Sequence, residues 1–171
     1  MKVAVLIEDL FDERELIYPL YRLQELGFQV DVVGPEVKEY KGKSGLVLKA
    51  TKDVRSALQE EYLVVWIPGG YAPDRLRRSK EIIQFVRKTA ERGVVAAVCH
   101  APWLLVSAGL AKGRRLTGFF SIHDDLRNAG AILVDASFVR DGNIVTGTGP
   151  EAMPGMFKLI LEALREKGIN I

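Results

Sequence analysis

The sequence predicts an α/β sandwich built on a mainly parallel sheet. Three observations carry that expectation. Short, continuously apolar and β-branched runs recur along the chain, as in strands buried on both faces. Segments with helical apolar spacing separate them. Glycines stand where those segments stop. With 171 residues, 48% hydrophobic and 27% charged, the chain is long enough for one domain, 1–171, around one core.

Lys2–Ile7 (KVAVLI) reads as the first buried strand. Glu13–Leu26 reads as a helix, with Leu16, Ile17, Leu20, Leu23 and Leu26 on one stripe and Gly27 as its stop. Phe28–Val33 is the second strand. Lys38–Ala50 alternates and is punctuated by glycine, the pattern of a hairpin or edge pair, and Val54–Glu60 reads as a short helix. Tyr62–Ile67 (YLVVWI) is the third buried strand, closed by Pro68-Gly69-Gly70. The basic stretch Arg75–Lys80 reads as a solvated loop. Ser79–Glu91 is a helix capped by Ser79, whose hydroxyl suits an N-cap. Val94–Val98 is the fourth buried strand. Pro102–Ala108 reads as a helix ended by Gly109, and Asp124–Asn128 as a short one ended by Gly130. Ile132–Asp135, Phe138–Arg140 and Ile144–Thr146 read as strands, the last two joined by the turn Asp141-Gly142-Asn143. Glu151–Lys167 closes the chain as a helix.

A net charge of +2 with mixed signs gives no electrostatic footprint for nucleic acid or a membrane surface. One cysteine excludes an internal disulfide and a cysteine-based metal site. No apolar run reaches a membrane span and no signal-peptide pattern is present, so a cytoplasmic location is expected. No phosphate-cradling or dinucleotide glycine motif occurs, and no cofactor is expected.

The chemistry centres on Cys99. It ends the fourth apolar strand and precedes a helical segment, the layout of a nucleophile elbow. Ala97 and Ala101 flank it with the small side chains that a tight turn needs. A helix N-terminus behind the sulfur would favour the thiolate. In such sheets ligands bind beyond the carboxyl ends of the strands. There the loops Glu8–Glu15, Pro68–Asp74 and Cys99–Pro102 are expected to meet. His100 is a candidate proton carrier or a helix-start packing residue, because adjacent helical residues do not face each other. His123 reads as a surface residue. Glu8, Asp9, Asp12, Glu13 and Glu15 crowd the first loop. Helix-dipole pairing explains most of them, and one held near Cys99 could hydrogen-bond the sulfur. Gly69 and Gly70 form either a simple turn or backbone donors for an oxyanion, shared by Gly70 and His100.

The segments Ala97–Trp103 (AVCHAPW), Ile67–Asp74 (IPGGYAPD), Asp9–Pro19 (DLFDERELIYP) and Ser121–Gly130 (SIHDDLRNAG) together resemble the intracellular protease PfpI family. That family lies in the superfamily of the Parkinsonism-associated deglycase. The resemblance implies a flavodoxin-like three-layer sandwich with Cys99 as nucleophile. It implies Glu15 as the acid at the sulfur, Asp12 as a second acidic position, and Gly70 and His100 as oxyanion donors. It also implies Asp74, from a neighbouring subunit, as the acid orienting His100, in a dimer or hexamer. The chain departs from the pattern in three places. Ala101 replaces the usual glycine, Asp74 replaces a common glutamate, and no Ser-Arg pair stands near Gly147-Thr148-Gly149-Pro150. The leading expectation is a cysteine peptidase acting on peptides. The alternatives are an enzyme acting on a small carbonyl substrate, glyoxalase or deglycase in type, and a non-enzymatic redox-sensing stress protein.

Overall fold

A computed structural model describes all residues, Met1–Ile171. The chain runs β1 (Lys2–Leu6), α1 (Glu13–Glu25), β2 (Gln29–Gly34), β3 (Glu39–Lys41), β4 (Val47–Lys49), β5 (Lys52–Asp53), α2 (Val54–Ala57), β6 (Val64–Ile67), α3 (Ala72–Leu76), α4 (Lys80–Arg92) and β7 (Val94–Val98). It continues with α5 (Trp103–Ser107), β8 (Arg115–Leu116), α6 (His123–Asn128), β9 (Ile132–Leu133), β10 (Phe138–Asp141), β11 (Ile144–Gly147) and α7 (Met153–Glu166). Single 3₁₀ turns, Phe120–Ile122 and Pro150–Ala152, precede α6 and α7.

The main sheet has seven strands in the order β10-β11-β7-β6-β1-β2-β5. All neighbours are parallel except the β10–β11 hairpin at one edge. The chain leaves β1 toward β2 on one side and β6 toward β7 on the other, so the order reverses between β1 and β6. Right-handed crossovers therefore put α1 and α4 on opposite faces. The crevice at such a reversal, beyond the strand ends, is where a ligand site belongs. α1 and α7 share a face, with the Tyr18 and Phe157 rings 5.5 Å apart edge to face. α4 lies on the other face, where Phe85 meets Tyr62 at 5.2 Å.

The central strands are buried along their length because both faces are covered. β6 and β7 carry no exposed residue. Trp66 does most to orient the site. Its ring stacks on Phe157 at 5.3 Å, and its Nε1–H donates to the Glu15 carbonyl at 2.7 Å. The first turn of α1 is thus pinned to the middle of the sheet. A buried indole keeps such a partner because an unpaired N–H there is costly.

The structure departs from the sequence expectations where local patterning is weak. The Arg75–Lys80 stretch is not a free loop. Its start belongs to α3, Arg77 Nε donates to Ser107 Oγ at 3.0 Å, and the Arg77 guanidinium lies over the Trp103 ring. The expected strand Ile132–Asp135 is only Ile132–Leu133, and it pairs with β8 outside the main sheet. The Val54–Glu60 helix shortens to one turn. The closing helix starts at Met153 because Pro150 opens a 3₁₀ turn first.

Asn143, in the β10–β11 turn, donates through Nδ2 to Ala90 O at 2.7 Å and Gly93 O at 2.8 Å. It ties the end of α4 to the hairpin. Asn143→Ala leaves two carbonyls without this donor and is expected to cost about 2 kcal/mol, read as a lowered urea midpoint with unchanged slope.

Candidate active site

Cys99 is a left-handed residue, with φ of 62°. A non-glycine residue there is strained by roughly 1–2 kcal/mol. Backbone bonds on both sides hold it: Cys99 N donates to Gly147 O at 2.9 Å, and Phe119 N donates to Cys99 O at 2.8 Å. The elbow expected from the sequence is therefore present. The helix behind it is not adjacent. Turns occupy His100–Pro102, and α5 begins only at Trp103 and has 5 residues.

Burial opposes the thiolate that such a helix was expected to favour. Burial pushes the Cys99 thiol up to about 12, and the charge of Glu15 adds to this. The N–H groups of His100 and Gly70 donate to the sulfur and pull the other way, without winning.

Glu15 is 1% exposed and sits beside the elbow. Its Oε1 accepts from Gly69 N at 2.9 Å. Gly69 is the contact point: a Cβ there would collide with Glu15 Oε1 and lie 2.8 Å from Cys99 Cβ. Only glycine lets the acid and the nucleophile share that side of the turn. Burial raises the Glu15 pKa to about 7, helped by the negative charge of Asp12. Near neutrality it both holds and releases a proton, as a proton carrier must.

Gly70, with φ of 77°, supplies the second N–H at the sulfur, and its own Cβ would meet Asp12 N at 2.5 Å. Asp12 caps α1, its Oδ1 accepting from Arg14 N at 3.0 Å. Burial would raise its pKa, but bonds from Arg14 and Lys43 outweigh that and hold it at about 2. Arg14 Nη2 lies 2.8 Å and Lys43 Nζ 2.7 Å from Asp12 Oδ2. Lys43 arrives from the β3–β4 hairpin, which Glu13 clamps by accepting from Ser44 N and Leu46 N.

His100 does face the thiol, with Nδ1 3.2 Å from Cys99 Sγ. The splayed turn, not a helix, makes this possible. Burial lowers its pKa below the usual histidine range, and Lys43 lowers it further. Its Nε2 lies 3.2 Å from Ser121 Oγ. Within the chain Asp74 does not join this group. It pairs with Arg78 one turn along and lines a separate groove with Arg77 and Trp103.

These side chains surround a cavity of about 670 Å³ that also includes Tyr71, Phe119, Phe120, His123, Thr148 and Glu151. His123 is a cavity residue, with Nε2 3.0 Å from Gly118 O, contrary to the surface position expected. Lys43 and the contact of Ser121 with His100 escaped the sequence reading because neither residue lies near Cys99 along the chain. No three His, Cys, Asp or Glu side chains form a metal-ligand cluster. No helix is long and apolar enough to cross a membrane.

A family model described as DJ-1/PfpI family matches residues 1–163. The chain belongs to the DJ-1/PfpI family. Its similarity to Deglycase TK1284 of Thermococcus kodakarensis is 36% identity over 96% of this chain and 100% of the relative. Deglycase PfpI of Pyrococcus furiosus is 37% identical over 88% of this chain and 91% of its own. YraA of Bacillus subtilis, provisionally named a cysteine protease, is 35% identical over 99% of this chain and 97% of its own. Among solved structures, a two-domain protein of Anabaena variabilis with DJ-1/ThiJ/PfpI-like and ferritin-like domains superposes with a TM-score of 0.91 and 40% identity. That match covers 95% of this chain and 48% of the other. Drosophila melanogaster DJ-1beta, 24% identical with a TM-score of 0.86 over 99% of this chain and 98% of its own, has the same fold. The family's named members are deglycases or cysteine protease-like enzymes.

Proposed function

We propose that the protein is a thiol-dependent enzyme acting on α-oxoaldehydes, free or as their adducts on amines and thiols. The carrying observation is Glu15, buried against the elbow with a pKa of about 7. It reverses the order of the two enzymatic readings suggested by the sequence. A thiol that rests protonated needs a proton acceptor at the sulfur before it can attack. Glu15 takes the Cys99 proton as sulfur bonds to the aldehyde carbon. The same proton then neutralises the alkoxide, which the Gly70 and His100 N–H groups hold as it forms. From the resulting hemithioacetal of methylglyoxal, Glu15 or His100 removes the proton on the aldehyde carbon and returns it to the neighbouring carbonyl carbon. The product is a lactoyl thioester. Water then cleaves it to lactate and the free thiol. The cavity is much larger than a three-carbon aldehyde, which leaves room for the side chain that carries an adduct.

A peptidase reading draws support from the 3.2 Å Sγ–Nδ1 contact. In it His100 is the base, and Asp74 from a neighbouring subunit orients it. This requires Asp74 to leave Arg78. The two readings separate in one assay series with purified protein and no glutathione. Conversion of methylglyoxal to lactate, with peptide turnover at background, is expected. Peptide cleavage without lactate would overturn the proposal. Phe119→Ala, which opens the cavity wall beside His100, is expected to raise KM about tenfold for an adduct-bearing peptide and to leave KM for free methylglyoxal within about twofold, because the small aldehyde uses little of that wall.

A further inference from the structure

The cavity beside Cys99 holds two cations on one carboxylate. Arg14 reaches Asp12 twice, from Nε to Oδ1 at 3.2 Å and from Nη2 to Oδ2 at 2.8 Å. Lys43 Nζ lies 2.7 Å from the same Oδ2. Asp12 Oδ1 also accepts from the backbone N–H groups of Arg14 and Glu15. A carboxylate offers about four lone-pair sites, so protein donors saturate Asp12. The cations are not saturated. An ammonium and a guanidinium carry more N–H donors than these contacts use. The Arg14 and Lys43 side chains are 63% and 36% exposed, above a buried Asp12. The other acids of the cavity do not take up the surplus. Glu15 Oε1 accepts from Gly69 N, and Glu151 is exposed and pairs with neither cation.

The backbone under this pair is fixed. Lys43 N donates to Phe11 O at 3.0 Å, Leu10 N to Lys41 O at 2.7 Å, and Lys41 N to Asp9 Oδ1 at 3.0 Å. Leu10 takes a left-handed backbone at this crossing, with φ of 64°. Its carbonyl accepts from Tyr71 N at 2.9 Å, so one loop carries both the hairpin of Lys43 and the turn of Gly70. The cations and the N–H groups facing Cys99 are thereby built on one piece of chain. We propose that Lys43 and Arg14 form a carboxylate subsite of the cavity, and that the substrate is a small carbonyl adduct whose carrier bears a free carboxylate, such as an amino acid or an acidic thiol. A carboxylate laid on the open side of the pair gains charge-assisted bonds. Asp12 has already ordered both side chains, which lowers the cost of binding. The subsite rests on the proposed reaction only for the carbonyl end of the substrate.

Its test needs no turnover. Cys99 displaces iodide from iodoacetate and from iodoacetamide, two probes that differ by a carboxylate against an amide. The ratio of the two alkylation rates cancels the ionisation of Cys99. At pH 7.5 and low salt, the iodoacetate-to-iodoacetamide ratio is expected to be about fivefold higher in the native protein than in Lys43→Gln, the scale of one partly exposed ion pair. Lys43→Arg keeps the charge and is expected to keep the ratio. Arg14→Gln, on a different element, is expected to lower it as well. Salt at about 0.5 M is expected to erase most of the difference. With methylglyoxal in excess thiol, the N-acetylcysteine adduct is expected to show a KM about fivefold below that of the N-acetylcysteine amide adduct. Equal alkylation ratios in the native protein, Lys43→Gln and Arg14→Gln, or equal KM for the two adducts, overturns the proposal. If neither adduct yields lactate while the alkylation ratio responds, the α-oxoaldehyde reading fails and the carboxylate subsite stands.

Discussion

Cys99→Ala is expected to reduce lactate formation from methylglyoxal to background, a loss of at least about 10³-fold. In the proposed reaction the covalent bond to the aldehyde forms at this sulfur, and no second cysteine can replace it. Cys99→Gly is expected to remove activity equally but to differ from Cys99→Ala in stability. The backbone at 99 has φ of 62°. Alanine keeps the strain that the left-handed region places on a Cβ, and glycine does not. The glycine variant is therefore expected to be about 1 kcal/mol more stable than the alanine variant, read from urea unfolding at one pH. Equal stability of the two would show that the elbow relaxes when the thiol is gone. The rate measurement tests the chemistry and the stability difference tests the turn.

The second large effect belongs to Glu15→Gln, which is expected to separate activity from stability. The amide cannot take the thiol proton, and kcat is expected to fall about 10²–10⁴-fold. Stability moves the other way above neutrality. Burial, then Asp12, raises the folded pKa of Glu15 from 4.5 to about 7. Between those values the folded chain holds a proton that the unfolded chain has lost. Stability of the native protein therefore falls as pH rises from about 4.5 to 7, and the deficit persists above. A shift of that size corresponds to about 3 kcal/mol. The substituted amide is neutral in both states and keeps an acceptor for Gly69 N. Glu15→Gln is thus expected to match the native protein near pH 4.5 and exceed it by about 3 kcal/mol at pH 8. Equal stability of the two at pH 8 would falsify the buried, proton-holding carboxyl.

The elements that position the site were legible where burial leaves a local pattern. β1, β6 and β7 are apolar along their whole length because both faces of the sheet are covered, and each run stops at the strand end. The elbow was legible because it needs a nucleophile at a strand–helix junction between small residues. α3 was not, since five residues with Ala72, Pro73 and Leu76 inside are too few to show a helical period. The β8–β9 pair escaped because two-residue strands have no period. Among site residues, Glu15 and Gly70 were reachable through the family resemblance. The cavity positions of His123 and Lys43 were not, because only the closure of separate loops around Cys99 brings them into one cavity.

The sequence by itself determined the α/β architecture, the placing of one cysteine on a turn after a central strand, and the three loops that meet there. Each of these follows from side-chain size, apolar period and backbone freedom, which are properties of adjacent residues. Tertiary structure decided the chemistry of the turn. Trp66 draws the start of α1 onto the sheet, and this puts a buried carboxyl beside a buried thiol. Desolvation and charge then push the pKa values of both Cys99 and Glu15 up. Those terms depend on what surrounds an atom in space, and the groups responsible lie in separate stretches of the chain.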